Sequence, residues 1–453
     1  MNRVCFIFVL LLIQGCSFYH KKPQATNAGN ILSELNKRGA VYESIEKLKS
    51  FIESKYKDER LSLLIDNVLS NNNDLASSLL KLKQSEESLK SKYFRFYPDL
   101  DANVQANERG EVKNSKTWTQ EYNSSLTLNY ELDFWEKYYG GVKYDELNKK
   151  ATEFDFVTLA YNLINTTGQL YWELALTNEK LKNLKTSKSI YKKIKDATEL
   201  NISVGKQSQY DLLLIEQDLI NLQSQVLLLN KRKHEIINDI YLLANRNIND
   251  YYNADLGFNK IRIIKFDDNN DTLTNLLSRP DVMSASAKLR SQSVSVHTSY
   301  LRLLPKITFS GLISSSNTAF TDLIQNPLAT LGLGIRFPFL AWQSRTNEIE
   351  TAKINYQQAE ITFTETINKA IIEVNNLSKY HELSYQEYEY AKMKEMLSKE
   401  RLRTDEIRYR VGKTDLKTVL QSRQTLLNSE IERFEKLYNY FYFSLRLALA
   451  RGI

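Results

Sequence analysis

Residues 74–98 read DLASSLLKLKQSEESLKSKYFRFYP, and residues 281–305 read DVMSASAKLRSQSVSVHTSYLRLLP. Both run from Asp to Pro over the same length, 207 residues apart. The echo continues downstream. Val204-Gly205-Lys206 returns as Val411-Gly412-Lys413, and LLANR, ending at Arg246, returns as LALAR, ending at Arg451. A near-constant offset over four landmarks marks a duplicated half-chain, so 453 residues are two copies of one architecture, not three unrelated domains.

Within each copy the apolar period changes at the Pro. Before it, Leu61, Leu64, Ile65, Val68 and Leu69 fall on one helical stripe, and Asn72 or Asn73 is placed to cap the next helix. After it, Leu100, Ala102, Val104 and Ala106 alternate with Asp101, Asn103, Gln105 and Asn107. Leu126, Leu128, Tyr130 and Leu132 alternate with Thr127, Asn129, Glu131 and Asp133. The second copy repeats the switch at Ile307 and Phe309, then at Leu331, Leu333, Ile335 and Phe337. A period of two predicts strands with one apolar and one polar face. At roughly 9–14 residues they are long enough to cross a bilayer when tilted. Four strands cannot close a barrel, and lipid does not tolerate open edges. Either the strands pack on the chain's own helices in water, or several chains pool them. Three chains would supply twelve, an even number within the outer-membrane range.

The remainder reads as long helices, consistent with only 14 Gly and 6 Pro. One is expected from Trp135 to about Ser203, near 100 Å at 1.5 Å per residue. Gly140 and Gly141 near its start mark the turn out of the strand or cost helix stability. A second helix runs from beyond Gly205 to about Asn245. It carries Leu212, Ile215, Leu219, Leu222, Val226, Leu229, Ile236, Ile240 and Leu243 as an antiparallel coiled-coil seam. The second half has a matching pair, over 341–410 and 414–450. Gly205 and Gly412 sit at the two hairpin tips, where a helix end needs a left-handed residue. No segment after the N-terminus is an unbroken apolar run long enough for a membrane helix.

The N-terminus is a targeting segment. Arg3 precedes the ten-residue apolar core VCFIFVLLLI (4–13), and Ile13-Gln14-Gly15-Cys16 follows in lipobox form. The expected organisation is a signal peptide over 1–15, a lipid anchor and tether over 16–57, repeats over 58–250 and 273–453, and a linker over 251–272. Cys16 is the expected lipidation site, and Ser17 after it permits export to the outer membrane. Cys5 leaves with the signal, so no cysteine framework or cysteine metal site is expected. The four histidines are scattered, and a net charge of +7 with interleaved Lys, Arg, Asp and Glu argues against nucleic-acid binding. No nucleophile, phosphate-loop or metal pattern is present, so neither catalysis nor a cofactor is expected.

LNYELDFWEK (128–137), LGLGIRFPF (331–339), Arg279-Pro280-Asp281 and RYRVGKTDLKTVLQSRQTLL (408–427) together resemble the TolC-like outer-membrane efflux family, in its lipid-anchored branch. The resemblance covers residues 58–453. It implies an α+β membrane protein: a trimer with a 12-stranded transmembrane β-barrel, four strands per chain, continued by a periplasmic α-helical coiled-coil barrel. It also implies a periplasmic adaptor and an inner-membrane pump as partners, and a passive channel for drugs, toxic compounds or metal ions. Where family members carry gate aspartates this chain has Thr418 and Gln421. Asp415, one turn nearer the tip, is a candidate for a displaced ring, with Lys413 and Lys417 beside it. Tyr409 matches a tyrosine that hydrogen-bonds across the closed tip. The alternatives are the outer channel of a one-step protein secretion system, and a lipid-anchored periplasmic coiled-coil spacer without a pore. Cys16→Ala is expected to abolish acyl labelling while leaving assembly intact; continued labelling would remove the lipobox assignment.

Overall fold

The computed structural model describes residues 39–110, 118–245, 256–258 and 276–452. The signal peptide, Cys16, the tether up to residue 38, Arg246 and most of the linker lie outside the described residues.

The first half begins with α1 (Gly39–Tyr56), α2 (Glu59–Asn71) and α3 (Asn73–Tyr93). Strands β1 (Asp99–Arg109) and β2 (Thr119–Leu132) follow, then α4 (Lys137–Ser203) and α5 (Gln209–Ala244). The second half runs α6 (Pro280–Leu301), β3 (Lys306–Asn317), β4 (Leu328–Arg336), α7 (Trp342–Arg410) and α8 (Leu416–Ala450). The starts of α3 and α6, β1 and β3, and α5 and α8 are each 207 residues apart.

The repeat extends to its caps, with changed chemistry. Asn72 caps α3 by accepting from the Leu75 N–H, and its Nδ2 donates to the Leu243 carbonyl at the end of α5 (2.9 Å). At the equivalent position Arg279 precedes α6 and donates through one guanidinium nitrogen to the Ala450 carbonyl at the end of α8 (3.0 Å). Its other nitrogens reach Asp281 and Glu373. Both side chains are buried. Each thus fastens the start of one helix to a carbonyl left free at the end of another.

The main core sits midway along the long helices. Trp172 of α4 stacks on Phe441 of α8 with ring centroids 5.7 Å apart, and Tyr56 of α1 packs on Trp172 at 5.2 Å. Gly168 leaves room for Leu445, which would lie 2.6 Å from a Cβ placed there. Leu256 and Phe258 from the inter-repeat segment are buried in the same core, and Asn178 donates to the Leu256 carbonyl. Residues 39–56, expected to belong to the tether, instead form α1. Its Ile45, Leu48, Ile52 and Tyr56 recur at helical spacing and are buried. Gly140 and Gly141 lie inside α4, and Gly140 lets Thr298 of α6 approach.

Among the described helices, α5 is long and apolar enough by composition to cross a membrane. The criterion of an unbroken apolar run passes over it, because isolated polar residues divide its leucine clusters. Its Ile215, Leu222, Ile236 and Ile240 are nonetheless buried within the chain, on the expected seam. A second face remains uncovered: Leu213, Ile220 and Leu227, spaced by sevens, are exposed.

Candidate functional site

Two regions of the chain carry its functional geometry, the sheet and the hairpin tips. The sheet is a continuous antiparallel meander of order β1-β2-β3-β4. Its register aligns the alternation of every strand. Leu100, Leu128, Gly311 and Leu331 lie in one row, Tyr130, Phe309 and Leu333 in another, and Leu132, Ile307 and Ile335 in a third. The opposite face carries Asp101 beside Thr127, and Asn129, Ser310 and Gly332 in one row. Leu312 and Leu328 are the apolar interruptions on that side. Ser310 and Thr308 lean over Gly332 and Gly334 and donate to their carbonyls, a fit that a Cβ at either glycine would obstruct. Among the described residues no helix covers the apolar face: Leu331 and Leu333 are 77% and 70% exposed. Fully burying each contributes roughly 1.5–3 kcal/mol, so the face calls for an apolar surround.

The strand-to-helix junction explains the LNYELDFWEK stretch residue by residue. Glu136 turns the chain with φ of +58°. The Asp133 carboxylate accepts from the Tyr138 and Tyr139 N–H groups, which α4 leaves free at its first turn (2.9 Å each). Trp135 Nε1 donates to the Pro305 carbonyl at 2.9 Å, joining the junction to the start of β3. Phe94, Tyr97, Phe134, Phe339 and Trp342 are exposed around this end of the sheet.

At the other end of the helices lie the two tips. Gly205 and Gly412 both have φ of +72°. In each, the glycine N–H returns to the carbonyl three residues back and the following Lys N–H to the carbonyl five back, Lys206 to Asn201 and Lys413 to Arg408 at 2.8 Å. This is a Schellman closure, made twice. The next helix is capped by the same two groups in swapped order. Ser208 caps α5 with Asp211 closing the capping box, whereas Asp415 caps α8 and Thr418 answers it. The Asp415 carboxylate accepts from the Thr418 N–H at 2.8 Å and from its hydroxyl at 2.5 Å. These bonds, hydroxyl first and then backbone, hold the carboxyl below its ordinary pKa, with Lys417 adding a smaller effect.

The four residues marked from sequence therefore occupy one tip in different roles. Asp415 and Thr418 meet each other. Gln421 is exposed one turn further along α8. Tyr409 is turned to the other tip: its hydroxyl accepts from Gln207 Nε2 at 3.2 Å, and Gln207 in turn accepts from Asn201 at 3.1 Å. Sequence reading missed Gln207, and it missed Asp405, buried between α7 and α8, where the Ser422 hydroxyl donates to its carboxylate at 2.5 Å. Those two lie 17 residues apart across a hairpin, a separation without a local signal. The Ser208-x-x-Asp211 box was readable.

The model of the family described as outer membrane efflux protein matches residues 64–246 and 274–452. The chain belongs to the outer membrane efflux protein family. It is accordingly an outer-membrane efflux protein, and the reading as a periplasmic structural spacer is set aside. Among its relatives, the toxin and drug export protein A of Aggregatibacter actinomycetemcomitans is 22% identical over 96% of this chain and 93% of its own length. The probable outer membrane lipoprotein SilC of Salmonella typhimurium is 26% identical over 70% of this chain and 69% of its own. In fold, the CmeC outer membrane channel of Campylobacter jejuni superimposes with a TM-score of 0.80, at 22% identity, over 89% of this chain and 88% of that one.

Two predictions concern the tips of this efflux protein. Ser422→Ala leaves the buried Asp405 without its hydroxyl donor, a loss of about 1–3 kcal/mol. Amide exchange at the α7–α8 tip is expected to speed up roughly 5- to 150-fold, and unchanged exchange would refute the role. The lowered carboxyl of Asp415 makes its cap complete above the ordinary carboxylate pKa, and the cap is lost as pH falls through the lowered value. Exchange at Thr418, corrected for intrinsic rates, should therefore be flat from neutral pH down to about 5 and rise only below about 4. Asp415→Asn should remove that dependence.

Proposed function

We propose that three copies of the chain pool their sheets into one twelve-stranded barrel through the outer membrane, and their long helices into a tunnel across the periplasm. The observation that carries this reading is the two-faced sheet: apolar on one side across all four strands, polar on the other, and open at both edges. In lipid an open edge leaves backbone groups unsatisfied, so only closure by further strands is stable. Three features lend support. The apolar rows extend roughly 20 Å along β3, from Ile307 to Ile313 at 3.3 Å per residue, a stretch that a tilted strand places within an outer-membrane apolar band about 25 Å tall. The exposed aromatics at the strand-to-helix junction match an interfacial girdle. The uncovered stripes Leu213, Ile220 and Leu227 on α5, and Leu383, Tyr390 and Leu397 on α7, are apolar faces that neighbouring chains would cover.

In this arrangement the polar strand faces line a water-filled lumen, and cargo moves through it without energy from the channel. Cys16 supplies a lipid anchor. The tips receive a periplasmic adaptor joined to an inner-membrane pump. The cargo class we favour is small toxic compounds or metal ions. A relative named for toxin as well as drug export keeps protein secretion as the second reading. Tyr409 acts by holding the two tips of one chain together. Thr418 and Gln421 stand at the entrance without the charge that a carboxylate ring would bring, and Asp415 spends its carboxylate on its own helix end.

The test is the native mass of the protein extracted in detergent from a separated outer-membrane fraction, followed by conductance in a planar bilayer. A trimer with stable ion conductance is expected. A monomer, or a soluble periplasmic protein, would overturn the barrel and the pore together. In the same bilayers, Thr418→Asp with Gln421→Asp should introduce block by divalent cations; unchanged block would take both residues out of the entrance.

A further inference from the structure

A barrel built from these sheets needs one strand pairing that a single chain does not contain, β4 of one copy against β1 of the next. The two edges specify it. β4 has nine residues, Leu328–Arg336, and β1 has eleven, Asp99–Arg109. They run antiparallel when copies follow one another in the order of the sheet. All nine residues of β4 find partners only if Arg336 stands opposite Asp99, Leu100 or Asp101 of the next copy. Leu100 is excluded. A slip by one residue turns every side chain to the other face, and would put Leu100, Ala102 and Val104 of the next copy opposite Arg336, Gly334 and Gly332 on the polar side. Arg336 therefore faces Asp99 or Asp101.

The stagger agrees. Within the sheet Asp99 shares a row with Asn129, Ser310 and Gly332. Placing Asp99 of the next copy opposite Arg336 shifts the register by four residues, from 332 to 336, for every four strands; placing Asp101 there shifts it by six. At about 3.3 Å per residue and 4.8 Å between strands, these shifts tilt the strands by roughly 35° and 45°. Both lie in the range that closed barrels adopt.

Charge complements the fit. Arg336 and its cross-strand neighbour Lys306 end one edge on the polar face. Asp99 and Asp101 begin the other edge on the same face and at the same end. Among the described residues Arg336, Asp99 and Asp101 have no ion-pair partner within the chain, whereas Lys306 has Glu131 at 3.6 Å. Gly334 and Gly332 beside Arg336 present no side chain, which leaves a diagonal aspartate free to reach the guanidinium.

We infer that Arg336, supported by Lys306, pairs with Asp99 and Asp101 of the next copy and sets the register at which the barrel closes. The occupant of each sheet edge is thus a second copy of this chain. The inference rests on the proposed trimeric barrel, and the experiment separates the two. Arg336→Cys is combined in turn with Asp99→Cys, Leu100→Cys and Asp101→Cys in the full-length protein. Membranes are oxidised with copper phenanthroline, native mass is measured on the unoxidised protein, and covalent products are resolved without reductant. A ladder ending at the trimer is expected for Asp99→Cys or Asp101→Cys with Arg336→Cys, and none for Leu100→Cys with Arg336→Cys. A trimeric native mass with no ladder from either aspartate pair, or a ladder from the Leu100 pair, would overturn the register and leave the barrel standing. A monomeric native mass would overturn both. As a second readout, Arg336→Asp should lose the detergent-resistant trimer, and adding Asp99→Arg and Asp101→Arg should restore it; loss without restoration counts against the ion pair.

Discussion

The whole structure depends on where backbone hydrogen bonds go when no water is available. A strand in lipid must satisfy each N–H and C=O through another strand, and each unsatisfied group costs several kcal/mol. One chain pairs β1, β2, β3 and β4 in a single meander and leaves two edges. The apolar face adds a second demand, because among the described residues no helix covers it. Water satisfies the edges but not the face; lipid satisfies the face but not the edges. Closure with further copies, as proposed above, would meet both demands.

Duplication makes that closure economical. Each half contributes one hairpin of strands and one hairpin of long helices, and the local devices that end each element recur. The Schellman turns at Gly205 and Gly412 are geometrically alike. The fasteners are not, since Asn72 does with a neutral amide what Arg279 does with a guanidinium and two carboxylates. Position was kept while chemistry diverged. The same holds for the helix caps, Ser208 with Asp211 in one half and Asp415 with Thr418 in the other. A buried carbonyl or a free helix N–H needs a partner of suitable geometry, not a particular side chain.

This explains what could be read from sequence. The strands were legible because the period of two survives in Leu100 to Ala106 and Leu126 to Leu132. Their outer ends were not: β2 begins at Thr119, where TQEYNSS offers no apolar alternation, and pairing alone extends the strand. The tips were legible through glycine, which the left-handed turn requires. Helix α1 carried the signal in Ile45, Leu48, Ile52 and Tyr56, and was obscured by its position beside a polar tether. Contacts between packed helices, within a half or across the two, left no trace. Tyr409 reaching Gln207, and Ser422 reaching Asp405, join residues whose proximity only the packed hairpins create.

The tip also shows why residue type alone does not define an entrance. A carboxylate at Asp415 would suggest a cation-attracting ring if read by charge. Its geometry says otherwise. The carboxylate accepts from the N–H and hydroxyl of Thr418 and sits at a helix N-terminus, whose dipole favours negative charge there. Thr418, the residue at an expected aspartate position, spends its hydroxyl on the same bond. Lys413 and Lys417 flank the cap. These bonds keep Asp415 ionised, so its negative charge persists and is offset only in part, by the helix N-terminus and by Lys417 beside it.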